Sequence, residues 1–328
     1  MSSNFTSLLS DLTRTAKSLA EPSSSSSHNR KKRHREEDDP STVKTNEITD
    51  RRQLTIHVSF LCIGAQKAGT TWLYEMLASI DGVGLASQKE VHFWDWNRRK
   101  GLGWYSRQFP SKGILGEVTP CYMTLSEKHV AEIRALFPSL KIIFLARDLV
   151  ERAWSAMTME LRNNARGLKP GQFDIPHDQM NLEDKKNLVK DSNPRSYPDA
   201  YFMNVLRNKT HTDRSDYTRG LRIWLNHFPK EQLLILNYRQ VSENPKHILK
   251  QVLAHIGLDG GNKLVDKLTH ALLGKRVNSA IDSNTTIRPA LQRQMLEHLS
   301  PFAKSFNDLL KELGYDWTID NCDPVRRN

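Results

Sequence analysis

The 328-residue sequence lacks a long apolar run and has few cysteines. No segment approaches the roughly 20 consecutive apolar residues that a membrane-spanning helix needs, and the N-terminus lacks the apolar segment of a secretory signal. The three cysteines, Cys62, Cys121 and Cys322, are odd in number and widely spaced, unlike a disulfide framework or a zinc pattern. These absences predict a protein without a membrane span in a reducing compartment, and we expect the cytoplasm.

Acidic residues are outnumbered by basic ones, and the formal net charge is +11. Only +2 of this charge falls within residues 1–52, so +9 belongs to the rest of the chain. A basic excess spread over a folded core favours an anionic ligand or substrate, whereas an excess confined to a tail favours a nucleic-acid arm. The alternative is a basic surface with no dedicated partner, and we do not expect nucleic acid to be the partner.

Residues 1–54 are predicted to form a disordered, low-complexity tail. They contain five consecutive serines and the basic run Arg30–Arg35, and they bury too little apolar surface to offset chain entropy. The basic run could instead serve as a nuclear import signal, and the first twenty residues weakly resemble an organelle transit peptide. We expect the folded domain over residues 55–318 and a C-terminal tail over residues 319–328.

Buried strands alternate with helices through the expected domain. The apolar strand segments are Ile56–Gly64, Lys141–Ala146 and Gln232–Asn237. Helical periodicity is clearest at Val150–Leu161 and Leu291–Leu313, whereas the polar residues 162–197 predict a long surface excursion. The alternation predicts an α/β fold with a parallel β-sheet flanked by helices.

A glycine-containing turn, Gly64 to Thr71, lies between the first strand and a helix. Backbone N–H groups at such a turn form a cradle for phosphate. The turn keeps the glycine and threonine spacing of a Walker A loop, but Thr70 replaces the lysine, and a lysine lies earlier at Lys67. The sequence therefore predicts a phosphate-binding loop that differs from that of an ordinary nucleoside triphosphatase.

This loop resembles the 5′-phosphosulfate loop of sulfotransferases that use 3′-phosphoadenosine-5′-phosphosulfate (PAPS). The segment Ile143–Ser155 resembles their 3′-phosphate signature. The resemblance covers about residues 56–318 and implies a P-loop-like fold, PAPS as co-substrate, no metal and sulfation of a hydroxyl on a carbohydrate or small molecule. It assigns to the nucleotide Lys67, Ala68, Gly69, Thr70, Thr71, Trp72, Arg147 and Ser155, with Arg288 as the candidate in a covering loop before the last helix.

The segment Lys89–Trp96, followed by Gly101–Tyr105, resembles the heparan sulfate glucosaminyl (3-O- and N-) branch of that superfamily. The resemblance implies that Glu90 is the general base that removes the acceptor proton and that Lys89 is its charged neighbour. His92 is the rival base, because its unperturbed pKa suits proton transfer. In an extended strand Glu90 and His92 would share a face, so both could approach the acceptor.

Other residues leave alternatives open. Glu117 either orients Lys89 or the acceptor, or is a buried structural acid. Asp148 could belong to a magnesium site, which would suit a P-loop small-molecule kinase that uses ATP, or it could form a surface ion pair with Arg152. A nucleic-acid-associated protein that uses the basic tail is a third function.

Overall fold

The computed structural model describes residues 57–165, 191–258, 260–266, 268 and 286–319. The predicted N-terminal tail with its basic run, the middle of the polar excursion and nearly all of the C-terminal tail lie outside the described residues. In the part of the chain that is described, no helix is both long and apolar enough to cross a membrane.

Within these ranges, five parallel strands form one sheet in the order β2-β3-β1-β4-β5. They are β1 (Phe60–Gly64), β2 (Val83–Leu85), β3 (Ile114–Val118), β4 (Lys141–Ala146) and β5 (Leu233–Asn237). All five residues of β1 are buried, as are all but the first residue of β4. Strands buried along their length are expected where helices cover both faces of a parallel sheet. The predicted α/β fold with a parallel sheet is confirmed.

Helices connect the strands and flank the sheet. They are α1 (Thr70–Ala78), α2 (Gly101–Ser106), α3 (Glu127–Leu136), α4 (Leu149–Ala165), α5 (Asp199–Arg207), α6 (Lys209–Ser215), α7 (Tyr217–Leu225), α8 (Tyr238–Glu243), α9 (Pro245–His255), α10 (Gly261–Asp266) and α11 (Pro289–Leu313). A π-helical turn covers Phe93–Asn97, and a 3-10 turn covers Pro120–Thr124. The predicted helices at Val150–Leu161 and Leu291–Leu313 correspond to α4 and α11, which each extend slightly further.

Two strands were not among the three apolar segments of the sequence. β2 has only three residues, and each of β2 and β3 is interrupted by a glycine, Gly84 or Gly116. Gly116 lies opposite Phe60, and a Cβ atom on it would lie 2.4 Å from the Phe60 ring. The glycine that obscures the strand pattern in the sequence is therefore required by packing inside the sheet. β1 in turn begins at Phe60 rather than at Ile56.

The strand order reverses at β1. The chain runs from β1 outward to β2, returns to β3 beside β1, and then crosses to β4 on the other side of β1. Ligands of open α/β sheets bind at such a reversal, beyond the carboxyl ends of the strands. The segments that follow Gly64, Val118 and Ala146 meet at this edge, and they contain most of the residues that the sequence assigned to the site.

Candidate active site

The phosphate loop joins β1 to α1 at this edge. Ala65 donates its backbone N–H to the carbonyl of Leu145 at 2.9 Å, which fixes the loop to β4. Lys67 and Gly69 both adopt left-handed backbone conformations, with φ of 69° and 83°. Gly69 is the N-cap of α1 and brings no side-chain acceptor to the first N–H groups of the helix. These N–H groups and the positive end of the helix dipole can therefore bind an anion.

The remaining loop residues divide between the core and the edge. Ala68, Thr70 and Trp72 are buried, with 0%, 4% and 5% of their surfaces exposed, while Thr71 is half-buried. Because the side chains of Ala68 and Trp72 are buried, these two residues would contact a nucleotide through their backbone groups. A Cβ atom at Gly69 would lie 2.9 Å from the Tyr238 ring, so a side chain there is excluded by space as well as by its φ.

The Lys67 ammonium group lies among other cations. Its Nζ atom is 3.5 Å from the thioether sulfur of Met159, which is a weak acceptor. Burial, followed by the positive charges of Arg162 and Arg147, lowers the pKa of Lys67 to about 8. A bound anion would offset both effects, so the surroundings of Lys67 favour phosphate or sulfate as its partner.

Arg147 connects β4 to the phosphate loop. Its Nη1 atom donates a hydrogen bond to the backbone carbonyl of Lys67 at 2.9 Å, and its guanidinium lies 4.6 Å from the centre of the Tyr238 ring. Its backbone carbonyl accepts a hydrogen bond from the Tyr217 hydroxyl at 3.2 Å. The structure thus brings Arg147 and Lys67 together, although they are 80 residues apart in sequence.

The helix that carries Ser155 begins immediately after this arginine. The Oδ1 atom of Asp148 accepts the backbone N–H of Glu151 at 2.9 Å, an N-cap that explains the acidic residue at this position. Ser155 lies two turns into α4 and is half-buried. The capping role of Asp148 weighs against the magnesium site that the kinase alternative requires.

The acceptor segment differs from its predicted conformation. Residues 90–92 do not form a strand, and Glu90 and His92 are left-handed, with φ of 62° and 51°. The expectation of an extended strand is therefore wrong. Glu90 donates one backbone hydrogen bond to the end of β3 (N–H to Val118 O, 3.1 Å), and the chain then turns away from the sheet. The two side chains nevertheless meet, with 3.4 Å between Glu90 Oε2 and His92 Nε2.

Charged groups surround this pair. The Lys89 ammonium contacts Glu90 Oε1, and His92 Nδ1 lies 2.8 Å from Asp95 Oδ2. Burial alone would raise the pKa of Glu90, but the hydrogen bond from His92 and the charge of Lys89 outweigh it and lower the pKa to about 2. Burial likewise opposes the His92 imidazolium, but Asp95 and Glu90 raise its pKa to about 9. At neutral pH, Glu90 is a carboxylate and His92 is protonated.

Comparison with known proteins identifies the family. The family model of the sulfotransferase domain matches residues 58–294, which include the phosphate loop, the acceptor segment and the Arg147 signature. The chain belongs to the family of proteins with a sulfotransferase domain.

This member of the family is similar to mouse heparan sulfate glucosamine 3-O-sulfotransferase 3B1, with 31% identity over 206 residues that cover 60% of this chain and 45% of the relative. The human protein of that name is 27% identical over 281 residues, covering 79% and 64%. The chain thus spans about half to two thirds of the length of these curated relatives. A sulfotransferase from Alicyclobacillus acidocaldarius has the same fold, with a TM-score of 0.54 at 16% identity over 80% of this chain and 98% of that one.

Arg214 joins the phosphate loop to the turn that follows β3. Its Nη1 atom donates to Gln66 Oε1 at 3.2 Å, and Nη2 donates to the Cys121 sulfur at 3.4 Å. The side chain is 8% exposed, and burial lowers its pKa. Sequence analysis missed this residue because it lies on α6, 148 positions from Gln66, and no local motif marks it.

Glu117 is a buried acid under the acceptor segment. Its carboxylate is fully buried and accepts hydrogen bonds from the hydroxyls of Tyr105 at 2.6 Å, Thr119 at 2.7 Å and Tyr122 at 3.2 Å. Burial raises its pKa more than these bonds lower it, to about 7. Of the two interpretations left open by the sequence, these contacts support the structural acid, because none of them involves Lys89.

Arg152 and Arg288 lie in surroundings that the sequence did not indicate. The surface ion pair between Arg152 and Asp148 is wrong, since Arg152 is fully buried and its Nη2 atom donates to Ser215 Oγ at 3.0 Å. Arg288 precedes α11 and donates to Asp199 Oδ1 at 2.6 Å and to the carbonyl of Tyr197 at 2.8 Å. These contacts fasten α11 to the start of α5 and do not join Arg288 to Lys67 or Arg147, so its nucleotide contact stays a prediction.

One cluster in the described ranges has the spacing of metal ligands. Ligand atoms of His92, Asp95 and Cys121 all lie within 4.8 Å of one another. A metal would need a neutral imidazole and a thiolate. His92 is protonated at neutral pH, burial raises the pKa of the Cys121 thiol to about 11, and the Arg214 guanidinium contacts its sulfur. Within the protein, His92 contacts Asp95 and Glu90, and Cys121 contacts Arg214. The absence of a metal stays a prediction.

The Glu117→Gln substitution tests the burial of this carboxylate. Because the pKa of Glu117 in the folded protein, about 7, lies above its ordinary 4.5, folding stabilises the protonated form. That contribution is complete below pH 4.5 and is lost as the pH rises to about 7. Between about pH 5 and about pH 8, we expect the unfolding free energy of the wild type to fall about 2–3 kcal/mol more than that of Glu117→Gln. Urea unfolding measures both, and an identical pH dependence would contradict this assignment.

Proposed function

We propose that this sulfotransferase takes its sulfuryl group from PAPS and transfers it to a hydroxyl, with Lys67 at the leaving phosphate and Glu90 as the general base. The observation that carries the proposal is the meeting of the Lys67 loop with Arg147 at the strand reversal, within electrostatic reach of Glu90. An anionic donor bound there would lie between the cations of the loop and the base.

The donor site has the chemistry for two phosphate groups. The N–H groups at the start of α1 and the Lys67 ammonium suit the 5′-phosphosulfate, whose bridging oxygen gains negative charge as the S–O bond breaks. The forked guanidinium of Arg147 and the hydroxyl of Ser155, two turns along α4, suit the 3′-phosphate. A 3′-phosphate distinguishes PAPS from ATP, and it explains an arginine at the end of β4.

The protonation states favour Glu90 over His92 as the base. A protonated His92 has no lone pair for the acceptor proton, whereas the ionised Glu90 can accept it. A carboxylate with a pKa of about 2 is a weak base, so the acceptor must displace Lys89 or weaken the His92 contact before the proton moves. The 38% exposed surface of Glu90 leaves room for that exchange. His92 and Asp95 then hold the carboxylate in place.

The acceptor proposed is the hydroxyl of a carbohydrate. Trp96 is the large apolar side chain that stands out by exposure among the described residues, at 43%. It stacks on the His92 ring at 3.6 Å with an interplanar angle of 6°. One face of the indole therefore covers His92, the neighbour of the proposed base, while the exposed part of the indole can contact a sugar ring. Similarity to glucosamine 3-O-sulfotransferases supports the same class of acceptor. A cytoplasmic location stays a prediction.

Substitution of Lys67 or Arg147 tests the donor site. We expect Lys67→Ala and Arg147→Ala each to weaken binding of adenosine 3′,5′-bisphosphate about 10- to 100-fold, because each removes a charge-assisted hydrogen bond to phosphate. Calorimetry in EDTA measures this affinity. Arg222→Ala, which breaks an exposed ion pair with Glu312, is the control and should bind as the wild type does. Binding of ATP that requires magnesium and exceeds that of the bisphosphate would support the kinase instead.

Replacement of the base tests the chemical step. Glu90→Gln should lower transfer from radiolabelled PAPS about 10²- to 10⁴-fold, because a positioned base contributes that factor. The affinity for adenosine 3′,5′-bisphosphate should stay unchanged. The transfer assay should be run with oligosaccharide, phenol and steroid acceptors. Full transfer by Glu90→Gln would contradict the assignment.

The pH profile separates the two candidate bases. With Glu90 as base, kcat/KM should be flat from about pH 5 to 7 and fall above about 8, where Lys67 loses its proton. With neutral His92 as base, kcat/KM should instead rise about tenfold per pH unit until Lys67 titrates.

A further inference from the structure

The Tyr122 hydroxyl links a buried carboxylate to the backbone of the acceptor segment. It donates to Glu117 at 3.2 Å and accepts the backbone N–H of Phe93 at 2.8 Å, with that of Trp94 at 3.4 Å. Both N–H groups belong to the first residues after His92, where the π-helical turn Phe93–Asn97 begins. Tyr122 itself is fully buried in the turn that follows β3.

The residues before this turn adopt conformations that need support. A non-glycine residue in the left-handed region costs on the order of 1–3 kcal/mol and persists only where its surroundings hold it. Glu90 and His92 are both in that region. The bond from Glu90 N–H to Val118 holds the segment on one side, and the bonds to Tyr122 hold it directly after His92.

We propose that Glu117 and Tyr122 are positioning residues for the base: Glu117 orients and polarises the Tyr122 hydroxyl, which holds the backbone after His92 so that the imidazole stays against Glu90. This inference rests on the proposed function in so far as Glu90 is the base. The ring of His92 then stays between Glu90 and Asp95, with Lys89 on the far side of the Glu90 carboxylate and the Cys121 thiol near Asp95.

Tyr105 provides a matched control. Its hydroxyl donates the shorter bond to Glu117, at 2.6 Å, and its ring stacks on Phe93 at 4.5 Å. Tyr105→Phe removes a hydrogen bond to Glu117 and keeps the ring, as Tyr122→Phe does. Of the two hydroxyls, however, the one that accepts the backbone N–H groups after His92 belongs to Tyr122.

The experiment compares Tyr122→Phe with Tyr105→Phe in the full chain. We expect Tyr122→Phe to lower kcat roughly tenfold or more without changing bisphosphate affinity, and Tyr105→Phe to lower it less than about threefold. Thermal unfolding checks that both variants fold. In Tyr122→Phe, the pKa of His92, followed by NMR on histidine-labelled protein and assigned with His92→Asn, should fall toward its ordinary value. In Tyr105→Phe it should stay high.

Equal losses of kcat in the two variants, or an unchanged pKa of His92 in Tyr122→Phe, would overturn the inference. If Tyr122→Phe does not fold, Glu117→Gln replaces it, because its amide oxygen can still accept from Tyr122 but no longer as a carboxylate. It should then give a smaller fall in kcat and in the pKa of His92, and no change in either would overturn the inference. The NMR readout needs no catalysis, so it tests the positioning even if Glu90 proves not to be the base.

Discussion

The hydrogen bond from Arg147 to the carbonyl of Lys67 is the contact on which the geometry of the site depends. It joins the segment after β4 to the segment after β1, and these two strands are neighbours in the sheet. Because the strand order reverses at β1, the acceptor segment approaches the same point from the β3 side. The backbone bond from Glu90 to Val118 completes that approach. Three strand ends thus bring the phosphate loop, Arg147 and the proposed base Glu90 into one place.

The electrostatics of the site follow from this convergence. Its cations outnumber its anions, and they come from the phosphate loop, the acceptor segment, the residue after β4, α4 and α6. The members of this cationic group are Lys67, Lys89, Arg147, Arg162, His92 and Arg214. Burial and the neighbouring cations lower the pKa of Lys67, so a bound phosphosulfate would stabilise the charged form of the lysine. Two of these cations, His92 and Lys89, hold the pKa of Glu90 low and so keep the proposed base ionised.

The sequence was sufficient for those parts of the fold and site that local patterns specify. The apolar runs of β1, β4 and β5 and the glycine turn after β1 specify a parallel sheet with an anion-binding edge, and the spacing of Arg147 and Ser155 follows from one helix. Contacts between distant segments leave no local pattern. Arg214 donates a hydrogen bond to Gln66, which is 148 residues away in sequence, and Glu117 accepts hydrogen bonds from the hydroxyls of three other residues. The left-handed turns at Glu90 and His92 also escaped prediction, because tertiary bonds, rather than residue preference, impose them.

A crystal structure of the chain with adenosine 3′,5′-bisphosphate would show whether Lys67 and Arg147 hold the two ends of one nucleotide. We expect the 5′-phosphate on the N–H groups of Gly69 to Thr71 and on the Lys67 ammonium, and the 3′-phosphate on the Arg147 guanidinium and Ser155. A bisphosphate bound elsewhere, or one that touches Lys67 while its 3′-phosphate lies away from Arg147, would contradict it.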